Sequence, residues 1–229
     1  MAAGNSVNDE IKEQRQKLKG KSLKEKFAYF WEYYKIHTLI TVLVLIFGGN
    51  FIYTLATRKD IVMEAAFVNM VLADDLDTEQ AEAGFVSWAG IDGDECEAVL
   101  DTGIYINYDG GDEYTAVNIQ KIMAMVSARA LDAIITDDSY LEQTADEGYF
   151  ADLSEVLPAE MLASLEEQDR LLYRDIPEDD KGEIPIAVDV RNSSFFLSNE
   201  VPAWFCIVSN AEHPDNGVKF LEYMTMELE

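Results

Sequence analysis

Twenty consecutive residues, TLITVLVLIFGGNFIYTLAT (38–57), carry no charge. At about 1.5 Å per residue they make a helix about 30 Å long, enough to cross the hydrocarbon of a bilayer. Arg58, Lys59 and Asp60 close the run. Trp31, Tyr33 and Tyr34 stand at one edge and Tyr53 near the other, where interfacial aromatics gather. Asn50 is the polar exception inside it. Just before the run, Phe27, Phe30, Trp31 and Tyr34 recur at i, i+3, i+4 and i+7, an aromatic stripe that predicts an interfacial helix feeding into the membrane. A cleaved signal peptide is the rival reading, with Thr54-Leu55-Ala56 as its small-residue site. The length of the apolar run and the long basic leader before it favour an uncleaved anchor. The chain therefore divides into a basic, amphipathic segment (1–37), a transmembrane helix (38–57) and a domain over 60–229.

Beyond residue 60 the pattern alternates between strand and helix signals. Residues 62–72 (VMEAAFVNMVL) read as a strand. A short helix follows over 78–86, weakened by Gly84. Residues 97–108 hold a β-type run with GIYINY at its core. Asp112 and Glu113 open a helix in which Ile119, Ile122, Met123 and Val126 share one face. Residues 131–136 (LDAIIT) suit a buried strand. Asp137 is placed to cap the next helix and Gly148 to end it. Pro158 starts another helix, with Leu162 and Leu165 inward. Residues 174–183 read as a polar loop, 184–190 and 203–208 as strands, and Pro214 opens a last helix whose Phe220, Leu221, Met224 and Leu228 should dock on a sheet. The fold class expected is α/β: an N-terminal transmembrane helix, then a compact domain of one sheet covered by helices.

Charge orients this arrangement. Residues 1–37 carry eight Lys/Arg against five Asp/Glu, and the rest of the chain nine against 39. Bases crowded on one side of an apolar segment predict that this side is cytoplasmic. The expected location is the cell membrane, single-pass, with the C-terminal domain extracellular. So acidic a domain lacks the basic face that nucleic acid requires, and anionic headgroups would repel it. Of the two cysteines, Cys206 lies in an apolar run and reads as a small hydrophobe. A bridge to Cys96 is the alternative in an exported chain.

Familiar chemistry is missing from the sequence. It has no G-x-S-x-G, P-loop, GxGxxG or HExxH. His213 precedes Pro214 at a helix start and His37 stands at the membrane edge, so neither reads as a catalytic base. Two histidines and no CxxC leave no familiar zinc site. The acidic runs Asp74-Asp75-Leu76-Asp77 and Asp92-Gly93-Asp94-Glu95 lack EF-hand spacing. No enzyme activity, cofactor or metal is expected.

Two stretches carry a resemblance. Residues 131–157, LDAIITDDSYLEQTADEGYFADLSEVL, resemble the part of extracellular solute-binding proteins (periplasmic binding protein type II) where a strand ends at the cleft. There a helix follows, and a GYFADL-like step turns the chain toward the hinge. Residues 204–224, WFCIVSNAEHPDNGVKFLEYM, are similar to the family's closing strand, turn and helix, and IPIAVDVRNS (184–193) to its return strand. KEKFAYFWEYYKIHT (24–38) looks like the start of small single-pass proteins of clostridial Gram-positive bacteria. A full family member has two lobes. Here about 25 residues separate ADLSEVL from the return strand, so the resemblance implies a single, membrane-anchored lobe.

Open α/β sheets bind ligands at the carboxyl ends of their strands. That rule selects Tyr108, Asp109, Thr136, Asp137, Asp189, Arg191, Asn192, Ser193 and Trp204 as candidate ligand-binding residues. The function expected is a binding module tethered to the bilayer by one helix. It would capture a small solute or peptide, or serve a transporter or sensor. The alternative is a cell-envelope interaction or structural domain that has lost its ligand.

Overall fold

The computed structural model describes residues 22–110, 113–176 and 182–226, together with Lys12 and Gln16. It forms two compact units, Met1–Arg58 and Lys59–Glu229.

The first unit is dominated by helix α1, Leu23–Thr57. Its start is closed reciprocally. The Ser22 N–H donates to the Glu25 carboxylate at 2.9 Å, and the Glu25 N–H donates to the Ser22 hydroxyl at 3.3 Å, which satisfies two donors that a helix start leaves open. At 35 residues the helix is about 52 Å long, longer than the expected span because it begins well before the apolar run. Lys35–Thr57 has a mean hydropathy of 2.1 and is nowhere buried by the protein; this one helix is long and apolar enough to cross a membrane. The Thr41 and Thr57 hydroxyls donate to the His37 and Tyr53 carbonyls at 2.8 Å, so neither would show lipid an unpaired donor. Of the aromatic stripe, Trp31 is exposed; the side chains of Phe27, Phe30 and Tyr34 lie outside what is described.

The second unit is a mixed α/β domain. Its strands are β1 Asp60–Val68, β2 Cys96–Ile104, β3 Ala133–Thr136, β4 Leu171–Asp175, β5 Glu183–Asp189 and β6 Trp204–Ile207. Its helices are α2 Thr78–Trp88, α3 Glu113–Ser127, α4 Asp138–Thr144, α5 Leu153–Val156, α6 Ala159–Glu167 and α7 Pro214–Thr225. The strands form one sheet in the order β2-β1-β3-β6-β5-β4. β1 is parallel to β2 and β3, β6 is antiparallel to β3 and β5, and β4 is antiparallel to β5.

Both faces of the sheet are covered. Side chains alternate along a strand, so Ala65 and Phe67 of β1 join one core with Phe85, Phe205 and Phe220. Ala66 and Val68 join the other with Ile122, Ile134 and Leu141. In the first core Phe85 of α2 meets Phe220 of α7 edge-on at 5.3 Å. A Cβ on Gly84 would come within 2.5 Å of the Tyr223 hydroxyl, so a larger residue there would push the end of that side chain aside. Cys96 and Cys206 are unpaired, and Cys206 is wholly buried in β6.

Several elements differ from the sequence expectation. β1 stops at Val68, not residue 72, because Asn69 takes a left-handed conformation (φ 59) and leaves the ladder. β2 stops at Ile104, after which the Ile106 and Asn107 amides bond to side chains, Asn69 Oδ1 at 2.7 Å and Thr115 Oγ1 at 3.0 Å. The supposed polar loop over 174–183 is partly a hairpin arm: β4 pairs with β5 from Leu171 to Asp175, with a register shift between Leu172 and Tyr173 beside Pro185. Proline donates nothing to a ladder and favours such irregularities. The helix expected from Asp137 to Gly148 is α4 followed by a 3-10 turn, Ala145–Glu147, closed by Gly148 at φ 72. Asp112, residues 177–181 of the loop and Leu228 lie outside the described residues.

Candidate functional site

The two ends of the sheet are built differently. At the amino end the polar groups are used up in joining elements. Asp132, 2% exposed, accepts from the Glu64 N–H at 3.0 Å and the His213 N–H at 2.7 Å. His213 Nδ1 lies 3.8 Å away. Asn216 Nδ2 donates to the Val62 carbonyl at 2.7 Å. Burial holds the Asp132 carboxyl above its ordinary range, against the pull of those two donors. This is a knot tying β1, β3 and α7.

At the carboxyl end the polar groups form a row across the strands. Register sets Thr136 of β3 opposite Trp204 of β6, and Trp204 opposite Asp189 of β5. The Trp204 indole N–H donates to Asp138 at 2.6 Å. Arg191 donates from Nε to the Asp189 carboxylate at 2.7 Å and from its backbone N–H at 3.0 Å. Its bond to Asp189 raises the guanidinium further above neutral pH, and the Asp138 charge adds to this. All its hydrogen bonds to described residues run through those two nitrogens, so its terminal Nη pair makes none. Arg170 donates from Nε to the Asp189 carbonyl at 2.9 Å, while its Nη2 is buried without a partner. Burial lowers this guanidinium. The Thr136 hydroxyl is also buried without a partner, at 0% exposure. Asp137 caps α4 by accepting from the Tyr140 N–H at 3.0 Å and also accepts from Asn69 Nδ2 at 3.2 Å.

Five of the nine expected residues thus share this edge: Thr136, Asp137, Asp189, Arg191 and Trp204. Asn192 is exposed beside them and accepts from Asn199 at 3.2 Å. Ser193 turns inward; its buried hydroxyl donates to the Met224 carbonyl at 2.7 Å and accepts from the Phe195 N–H at 3.3 Å, anchoring the end of α7. Tyr108 belongs to a groove between α3 and α4, its ring 6.5 Å from that of Tyr140. Asp109 is exposed, and its N–H donates to Asn107 Oδ1 at 3.0 Å.

Asn69, Asp138 and Arg170 also belong to the edge and were not singled out from sequence. Asn69 fell inside the strand expected over 62–72; its one local signal is that asparagine tolerates positive φ. The acidic runs have local duties: Asp77 caps α2 through the Gln80 N–H at 3.1 Å, and the Asp92 carboxylate accepts from the Asp94 N–H at 2.9 Å. Among the described residues, no group of three or more His, Cys, Asp or Glu is placed to hold a metal ion. Of these groups the Arg191 guanidinium and the Asp189 carboxylate reach solvent and can meet a polar ligand, whereas the Thr136 hydroxyl is sealed inside the sheet.

Compared with protein-family models, with curated proteins and with solved structures, the chain has no match in any of the three. Its class is therefore set by the fold alone: a mixed α/β domain on a six-stranded sheet, preceded by an N-terminal apolar helix.

Proposed function

We propose that the chain is a membrane-anchored binding module related to the type II periplasmic binding proteins, reduced to one lobe. It presents the carboxyl edge of its sheet, outside the cell, to a small solute or peptide and serves a transporter or sensor. The observation that carries this is the row Thr136–Trp204–Asp189 with Arg191 beside it, at the edge where open α/β sheets receive ligands. The stretches that carry the resemblance are regular elements of this domain. LDAIITDD is β3 running into α4, GYFADL is the step into α5, IPIAVD is β5, and the closing stretch is β6 and α7. In this reading the chain is not an enzyme. His213, its one described histidine past α1, stands at the opposite end of the sheet.

A thermal-shift screen of the full chain in detergent against amino acids, sugars and short peptides tests this. A ligand at 100 times its Kd should add about 2.7 kcal/mol of stability. Arg191→Ala and Trp204→Phe should each abolish most of that gain while leaving the unliganded melting temperature within a few degrees. A cooperative melt that nothing shifts would sink the solute-binding reading. A second reading, a cell-envelope interaction domain without a ligand, draws on exposed apolar residues: Val71 at 62%, Leu197 at 54% and Val201 at 52%, the first two joined by a backbone hydrogen bond of 3.1 Å. Such patches mark protein contacts, and a screen without hits would favour it.

A further inference from the structure

The groove between α3 and α4 is separate from the row just described. It encloses about 270 Å³. One wall is aliphatic, made by Ile119, Ile122, Met123 and Val126 of α3. The other carries three phenols, Tyr108, Tyr140 and Tyr149, together with the Glu147 carboxylate. We propose that this groove binds a small alkylated ammonium ion, with the cation against the tyrosine faces and Glu147 and its alkyl groups against α3.

The electrostatics favour a cation over any other occupant. Aromatic faces are negative and attract ammonium groups, most of all where water is partly excluded. Glu147 brings a formal charge to the groove that the three rings line; burial first, and the negative charge of Glu147 after it, hold the Tyr108, Tyr140 and Tyr149 phenols above their ordinary range. Asp137 acts on Tyr108 in the same direction. An anion would face the Glu147 carboxylate. A bare metal ion would find one carboxylate and an aliphatic wall, too few oxygens for a hard cation. A neutral apolar molecule would gain the wall but nothing from Glu147. The volume lies just below the usual range for ligand pockets, about 300–1,000 Å³, which suits a compact ion.

The test is a titration of the full chain, in maltoside micelles free of choline lipids, with choline and with its uncharged carbon isostere 3,3-dimethylbutan-1-ol, followed by saturation-transfer NMR. Choline should saturate in the low millimolar range and bind about tenfold more tightly than the isostere. Glu147→Gln and Tyr108→Leu should each weaken choline about fivefold or more. Both positions are exposed, Tyr108 at 37%, so the melting temperature should hold. Arg191→Ala should leave choline binding intact, which keeps this site distinct from the sheet edge. Equal binding of the two probes, no saturation, or unchanged binding by both groove variants would overturn the proposal.

Discussion

Asn69 lies one residue past β1 in the left-handed region and bonds in three directions, to the Ile106 carbonyl, the Ile106 N–H and Asp137. It ends the strand, holds the segment after β2 and steadies the cap of α4. Asn69→Ala removes these bonds and puts a poorly suited residue at φ 59, so it should cost about 2–4 kcal/mol in urea denaturation. Asn69→Gly keeps the backbone at ease and should cost less. Equal losses would mean that the conformation itself carries no penalty. The importance of this residue was only faintly legible in the sequence, because two of its partners lie 37 and 68 positions away. Thr136, Asp189 and Trp204 were more legible. Each sits at the end of an apolar run, and a run's end is a local signal. Ser193 misled for the same reason: the chain turns just after β5, and strand alternation no longer says which way a side chain faces.

Among the elements, those with local punctuation matched expectation and those without it did not. β3 is a short apolar run, and α4 with its 3-10 turn lies between an Asp cap and a left-handed glycine. Gly148→Ala should therefore destabilise the domain by about 1 kcal/mol, read as a fall in melting temperature, whereas a neutral or stabilising result would contradict the αL cap. β4 was missed because LLYRD is half-exposed and unremarkable alone; its strand state depends on pairing with β5 across the intervening segment. α1 was legible as a helix long and apolar enough to cross a membrane, but its early start rests on the Ser22–Glu25 cap, a signal overshadowed by the apolar run.

The whole domain should prefer mild acid. Burial is the leading influence on Glu64, Glu82 and Asp132, and it raises all three above their ordinary values of 4.5, 4.5 and 3.8. A carboxyl with a raised folded pKa contributes stability that is complete below the unfolded value and is lost as pH rises through the folded one. Melting temperature should thus be higher near pH 5 than near pH 8, and protonation of the acidic surface acts in the same direction. Asp132→Asn should cost about 1–3 kcal/mol at low pH by turning a donor toward donors, and it should also flatten the pH profile. A profile that rises with pH would reject this account.

Glu82 has one more consequence. Its carboxylate accepts from the Leu100 N–H at 2.8 Å, and Leu100 is on β2, the outermost strand on its side of the sheet. That amide would otherwise be free to pair with a strand from another molecule. An unguarded border strand invites stacking into chains wherever copies of a protein are crowded. A single side chain reaching over from α2 blunts that border and helps keep crowded neighbours separate.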